Sequence, residues 1–382
     1  MPLPDKVVLV LQGGGALGSY QAGVIEALED SNIEIDWVAG ISIGAINAAI
    51  VAGNPPDKRV ARLREFWEIV TPDYPLMPQL PGDAIREWEH IGAAIAVSTF
   101  GVPGFFSPRL ALPSWATPCS AEATSFYDTA QLAGTLDALI DWDLLNDGPV
   151  RLSVGAVDVE TGNFHYFDTS EKNRRIDARH IMASGALPPG FPAIEIDGRH
   201  YWDGGLVSNT PLSFIIDHQR DDMLVFQVDL FPAKGELPRS LTDVWSREKD
   251  IRYSSRTRQV TDMLLARQKE HRAIARVLDK LPPEMADDVD VKALVKIAGG
   301  RALSVVHLIY RTHAWEGGAR DFEFSRRTME EHWKQGREAV DMSVKNGQLL
   351  AQNILDKRVA AFDLAPQSEP GPSEKQRKSD VS

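Results

Sequence analysis

The sequence predicts an α/β protein with a mostly parallel central sheet and a helical C-terminal extension, on three observations. Residues 6–12 (KVVLVLQ) form an unbroken apolar, β-branched run, as a strand buried on both faces in a parallel sheet requires. That run meets glycines that open into a helix, and residues 36–40 (DWVAG) lead in the same way into the small-residue segment 43–52 (IGAINAAIVA). Residues 240–281 are charged and helical in pattern, with Val260, Leu264, Ile274 and Leu278 as a sparse apolar stripe.

Taken in order, the first helix is expected over residues 18–30, with Tyr20, Val24, Ala27 and Leu28 on one face. Residues 71–118 are rich in proline and aromatics without periodicity and read as a cap or lid. Residues 128–146 have helical spacing, with Thr129 as N-cap. Residues 151–159 and 163–168 flank Glu160-Thr161-Gly162 as a hairpin. Residues 223–230 and 302–310 read as strands, and 325–346 as a helix. The tail from residue 365 has the composition of a disordered segment.

The 382 residues carry a formal net charge of −13, which argues against a nucleic-acid partner and favours an uncharged or interfacial substrate. One cysteine, Cys119, excludes an internal disulfide and a multi-thiolate zinc site. A cytoplasmic setting is the simplest expectation. No signal peptide is expected, and the apolar stretch 91–106 is too short to span a bilayer.

Gly40-Ile41-Ser42-Ile43-Gly44 is a G-x-S-x-G sequence between an expected strand and an expected helix. A sharp turn there projects the serine hydroxyl, small neighbours avoid a clash, and the helix N-terminus favours developing negative charge. The competing interpretation is a tight turn without reactivity. Gly13-Gly14-Gly15-Ala16-Leu17-Gly18 also follows a strand and opens a helix, so its backbone amides can converge on an anion. The same residues spell a dinucleotide fingerprint, with Glu34 or Asp36 near the distance of a ribose ligand. Against that, the chain runs from Asp36 directly into the serine turn. Asp203-Gly204-Gly205 places a carboxylate in a turn, where Asp-Gly is also ordinary hairpin chemistry. A serine needs a base, and a carboxylate with a suitable pKa suffices. His200, His307 and His313 are the alternative, in the order of an α/β-hydrolase, although that fold places more strands before its serine than this chain has room for. Asp158 and Asp229 are candidates for a supporting role, with a structural one favoured.

Together QGGGALGSYQAGV, GISIG, ASGALPPGFP (183–192) and DGG, in that order over roughly the first 230 residues, resemble the motif series of patatin-like phospholipases. The resemblance implies a three-layer α/β/α fold, a Ser42–Asp203 dyad without histidine, and an oxyanion hole from the backbone of Gly13, Gly14 and Gly15. Gly18, Gly40, Gly44, Gly204 and Gly205 are its motif glycines. It also implies hydrolysis of fatty acyl esters through an acyl-enzyme, with no metal or cofactor. Residues 1–235 would be the catalytic domain, with a cap at about 71–120, and 236–364 an extension seen in a bacterial subgroup, with a late strand. Leu17 stands where many relatives carry a basic residue. Segment 91–106 offers an acyl-binding or interface-docking surface, or a buried cap, and peripheral membrane contact is an expectation. The arginines Arg247, Arg252, Arg256 and Arg258 read as a solvated face. The rivals are a polyester depolymerase or thioesterase with the same dyad, a nucleotide-binding protein, and a non-catalytic membrane scaffold.

Overall fold

The computed structural model describes residues 4–72, 83–109, 116–117, 120–171, 173–235, 237–298, 301–312, 316–345 and 359–363. The expected disordered tail, His313 and parts of the cap lie outside them.

The strands are β1 (Lys6–Leu11), β2 (Trp37–Gly40), β3 (Ser107–Pro108), β4 (Tyr127–Asp128), β5 (Arg151–Asp158), β6 (Phe164–Asp168), β7 (Ile194–Ile196), β8 (Arg199–Asp203), β9 (Met223–Asp229), β10 (Leu303–Ile309) and β11 (Val359–Asp363). All but β3 and β4 join one nine-stranded sheet, ordered β11-β10-β9-β1-β2-β5-β8-β7, with β6 also paired to β5. From β11 to β5 every pairing is parallel; β6 and β8 pair antiparallel with β5, and β7 pairs antiparallel with β8. The sheet is therefore mostly parallel, as predicted.

The helices are α1 (Gly18–Asp30), α2 (Ile43–Ala52), α3 (Pro56–Val70), α4 (Asp83–Phe100), α5 (Ala121–Thr124), α6 (Ala130–Leu139), α7 (Trp142–Asp147), α8 (Ala178–Ser184), α9 (Leu212–Asp217), α10 (Leu241–Leu278), α11 (Val289–Ala298) and α12 (Arg326–Val344). Successive side chains of a strand point to opposite faces, and in β1 this alternation sorts the core. Val7, Leu9 and Leu11 join the residues of α1, α2, α3 and α12 on one face. Val8 and Val10 pack with Trp37, Val225, Val305 and, from α9, Leu212 and Ile215 on the other. A sheet apolar on both faces needs a helix layer on each, which gives the three-layer arrangement.

Several boundaries differ from expectation. The cap, read as aperiodic, contains the 18-residue helix α4. The segment 128–146 is two helices, because the Asp141 carboxylate accepts the amides of Asp143 and Leu144 and starts a new one. Thr129 occupies the N-cap of α6 without a side-chain bond; the Asp128 carboxylate accepts the Ala130 amide instead, at 2.8 Å. The 160–162 hairpin forms as read, with Gly162 at φ +69°. Among the described residues, no helix is long and apolar enough to cross a membrane.

The C-terminal third is built into this frame. β10 lies beside β9 and β11 beside β10. Helix α12 lies so close to α1 that a Cβ on Gly23 or Gly336 would collide with the facing backbone, at Trp333 and Tyr20 respectively. Trp333 is buried there and donates its indole N–H to Glu26 at 2.6 Å.

Candidate active site

Strand β5 brings the predicted residues together. Its Val154 pairs with Gly40, where β2 ends, and its Ala156 pairs with Asp203, where β8 ends. Both partners lie on the edge of β5 opposite β6, so the two strand ends meet across Gly155. The chain leaves Gly40 through Ser42 into α2, and leaves Asp203 through the 3-10 turn Gly204–Leu206. Two motifs 161 positions apart in sequence thus converge.

Ser42 has φ 55° and ψ −124° at the N-cap of α2. A non-glycine residue held in such a sparsely populated region stores about 1–3 kcal/mol, which the surroundings must offset. The surroundings are specific. The Ser42 amide donates to Ser184 Oγ at 2.9 Å, and the Ser184 hydroxyl donates to the Gly155 carbonyl at 2.6 Å. Ser184, at the end of α8, therefore ties the serine turn to β5. Gly40 and Gly44 allow the turn to close, since a Cβ on either would strike neighbouring backbone, that of Gly44 or of Leu11.

Asp203 is 3% exposed. Its Oδ1 accepts the Gly205 amide at 2.7 Å, and its own amide donates to the Ala186 carbonyl at 3.0 Å. Burial pushes its carboxyl up to about 6, against the Gly205 amide and a hydrogen bond with the Ser42 side chain, which both lower it. A desolvated carboxylate with that pKa, touching a serine hydroxyl, has the character of a general base.

The glycine loop follows β1 on the same side of the sheet. The Gly13 amide donates to the Asn209 carbonyl at 3.3 Å, and Asn209 Nδ2 returns a bond to the Gly13 carbonyl at 3.0 Å. Among the described residues, none accepts from the Gly14 or Gly15 amide. Of the three expected donors, Gly13 is thus the one already engaged. Gly15 has φ +55°, a conformation that favours glycine. Below the loop lies a buried polar network. Gln12 Oε1 accepts the Leu230 amide at 2.6 Å, Gln21 donates to the Gln12 carbonyl at 2.6 Å, and Asn47 donates to Gln21 at 2.9 Å. Such satisfied buried groups resist rearrangement, and they hold the loop against α1 and α2.

These elements share one pocket of about 730 Å³, including the space at its mouth. Gly13, Gly14, Gly15, Ser42, Asp203 and Asn209 form its polar end. The remainder is largely aromatic: Phe105 and Phe106 from the cap, Phe191, and Phe231, Phe322 and Phe324 from the chain beyond β9. Phe106 and Phe191 lie 5.1 Å apart, and Phe231 and Tyr253 4.8 Å apart, between ring centroids.

Other candidates lie elsewhere. His200 faces Glu160 at 3.4 Å, and His307 faces Asp229 at 3.2 Å; neither lines the pocket. Asp158 accepts the Glu160 and Thr161 amides and holds the hairpin. Asp36 accepts the Val7 amide at 2.9 Å, at the start of β1. It therefore sits at the end of the sheet opposite the glycine loop, where it cannot hold a ribose whose phosphates the loop binds. Leu17 is fully buried in the core, not on the pocket. Arg247 donates to the Pro232 and Ala233 carbonyls and Arg252 pairs with Glu248; the Arg256 and Arg258 side chains lie outside the description. A second serine–histidine pairing, Ser19 Oγ 3.4 Å from His332 Nδ1, is wholly buried and out of an ester's reach. The roles of Ser184 and Asn209 were not read from the sequence, although Ser184 falls in the quoted segment ASGALPPGFP and Asn209 lies four residues beyond the quoted DGG.

A family model described as patatin-like phospholipase matches residues 9–216, and a second, described as patatin phospholipase, matches residues 251–354. Lysophospholipase nte1 of Aspergillus terreus is 59% identical over 47 residues, which are 12% of this chain and 3% of that protein. Patatin-like phospholipase domain-containing protein 6 of Homo sapiens is 31% identical over 95 residues, 22% of this chain and 7% of that protein. The chain thus matches only a small part of the length of these relatives. The structure of VipD from Legionella pneumophila aligns with 88% of this chain and 66% of its own, at 14% identity and a TM-score of 0.37. With the first model covering more than half of its length, the chain belongs to the patatin-like phospholipase family, a family of lipid-ester hydrolases.

Proposed function

We propose that this protein hydrolyses fatty acyl esters of lipids with Ser42 as nucleophile, Asp203 as its base, and the Gly14 and Gly15 amides as the oxyanion hole. The observation that carries the reading is the contact of a conformationally strained serine with a buried carboxyl whose pKa is about 6. Asp203 takes the proton from Ser42 Oγ as that oxygen attacks the ester carbonyl. The carbonyl oxygen becomes an anion against the glycine-loop amides and the N-terminus of α2, and one such donor is worth about 3 kcal/mol in the transition state. Collapse of the intermediate expels the alcohol, which takes the proton back from Asp203. Water, deprotonated by Asp203, then attacks the acyl-enzyme, and the fatty acid leaves while Ser42 recovers its proton. Gly13, bonded to Asn209, keeps the loop in register and leaves room for the substrate.

The aromatic pocket favours a long acyl chain over a short polar one, since burying apolar surface contributes about 25 cal/mol per Å². Ile95 and Phe100, exposed on α4 close to the pocket residues Phe105 and Phe106, suit contact with a lipid interface. The net charge of −13 makes that interface zwitterionic rather than anionic.

The test is a panel of phosphatidylcholine, lysophosphatidylcholine, short-chain esters, an acyl thioester and a hydroxyalkanoate polymer, the lipids given below and above their critical micelle concentration. Release of long-chain fatty acid, greater above that concentration and lost in Ser42→Ala, is expected. Preference for the polymer or the thioester would transfer the same dyad to another acyl group. Activity that survives in Ser42→Ala would overturn the reading.

A further inference from the structure

The first family match ends at residue 216, but the pocket does not. Phe231, Tyr253, Asp321, Phe322 and Phe324 all line it from later in the chain. The 3-10 turn Gly317–Phe322 passes so close to the glycine loop that a Cβ on Gly15 would collide with the Asp321 carbonyl. Two ion pairs hold this turn to α10. Lys249 Nζ lies 2.7 and 2.9 Å from the two Asp321 carboxylate oxygens, and Arg320 pairs with Asp250 where both are buried. Lys249 also sits over the Phe322 ring, 5.2 Å from its centroid. The same helix sends Tyr253 into the pocket, its ring tilted against that of Phe231.

From this arrangement we infer that the C-terminal extension determines acyl-chain specificity: Phe322 and its neighbours form one wall of the acyl pocket, and the Lys249–Asp321 pair positions that wall. The inference rests on the hydrolase reading above. Phe322 is a specificity-determining residue that is 43% exposed, so it can be shortened without opening the core. Lys249 is a positioning residue, acting through Asp321 and Phe322. A long acyl chain lies against more of this apolar wall than a short one, so losing the wall weakens binding of the long ester more.

The experiment measures kcat/KM for 4-nitrophenyl butyrate and palmitate in the full chain and in Phe322→Ala, Lys249→Gln and Lys249→Arg. The palmitate-to-butyrate ratio is expected to fall about tenfold in Phe322→Ala, equivalent to about 1.4 kcal/mol. It should fall severalfold in Lys249→Gln, through KM for palmitate more than kcat, and recover in Lys249→Arg, which keeps the ion pair. Ratios within twofold of the parent in both Phe322→Ala and Lys249→Gln, with butyrate still turned over, would overturn the inference and leave the hydrolase intact. Absence of turnover of either ester by the parent protein would instead overturn the reading on which it rests.

Discussion

In the proposed mechanism Asp203 couples chemistry to stability. Its folded pKa of about 6 lies above the roughly 3.9 of an unfolded aspartate, so the folded state holds this proton more tightly. The stabilisation this gives is complete below about pH 4 and is lost as the pH rises through about 6. At neutral pH the buried, ionised carboxylate costs about 3 kcal/mol, two pKa steps at about 1.4 each. Asp203→Asn keeps the shape and removes the charge. It is expected to raise the denaturation midpoint at pH 8, to lose that advantage by pH 4, and to remove activity. Urea unfolding at both pH values checks this, and a variant no more stable than the parent at pH 8 contradicts it. The residues of the proposed dyad were legible as candidates. Ser42 and Asp203 stand in short glycine-flanked motifs whose spacing reports the turn each must make. The engagement of the Gly13 amide by Asn209 was not, because it depends on a contact across 196 positions with no local signature.

At the scale of elements, the site is made by one fork, in which β2 and β8 end against consecutive parts of β5. Ser184 spans the gap, and its hydroxyl serves both the Ser42 amide and the Gly155 carbonyl. Ser184→Ala leaves both groups without this partner, which costs about 1–3 kcal/mol of stability. It also frees the strained turn, and a misplacement on the order of 1 Å lowers rates about a hundredfold. Steady-state kinetics should show kcat falling by about ten- to a hundredfold with KM nearly unchanged; an unchanged kcat would remove Ser184 from the positioning of the serine. Of the strands that build this fork, β2 and β5 were read from their apolar runs and the 160–162 hairpin, whereas β8 was not, because residues 199–203 end in an Asp-Gly turn that reads on its own as a simple turn. Nor was their order, because pairing register is a property of distant segments. Helix α4 was missed since proline and glycine on both sides of it hide a periodicity visible in the burial of Ala93 and Val97. Helix α3 went unread although Pro56 at its start and Asp57 in its first turn are N-terminal signals.

Over the whole molecule, the chain closes on itself. β10 and β11 extend the sheet from β9, and α12 covers α1 through two glycines that let the backbones touch. The segment 317–324, far from Ser42 in sequence, reaches the glycine loop and the pocket that holds Ser42. The sequence carried the late strand and the long helix of this region as patterns but gave no sign of where they dock. Periodicity reports which face of an element is buried, not against what. The overall class, a mostly parallel sheet between helix layers, was legible because β1 announces burial on both of its faces.

The most direct measurement is the rate at which an alkyl fluorophosphonate labels the protein across about pH 5 to 9, with the adduct located by mass spectrometry. The account predicts a single adduct on Ser42, a rate that rises through an inflection at about pH 6 as Asp203 ionises, and a loss of about a hundredfold or more in Asp203→Asn. An adduct on another residue, or a labelling rate that Asp203→Asn leaves unchanged, would contradict it.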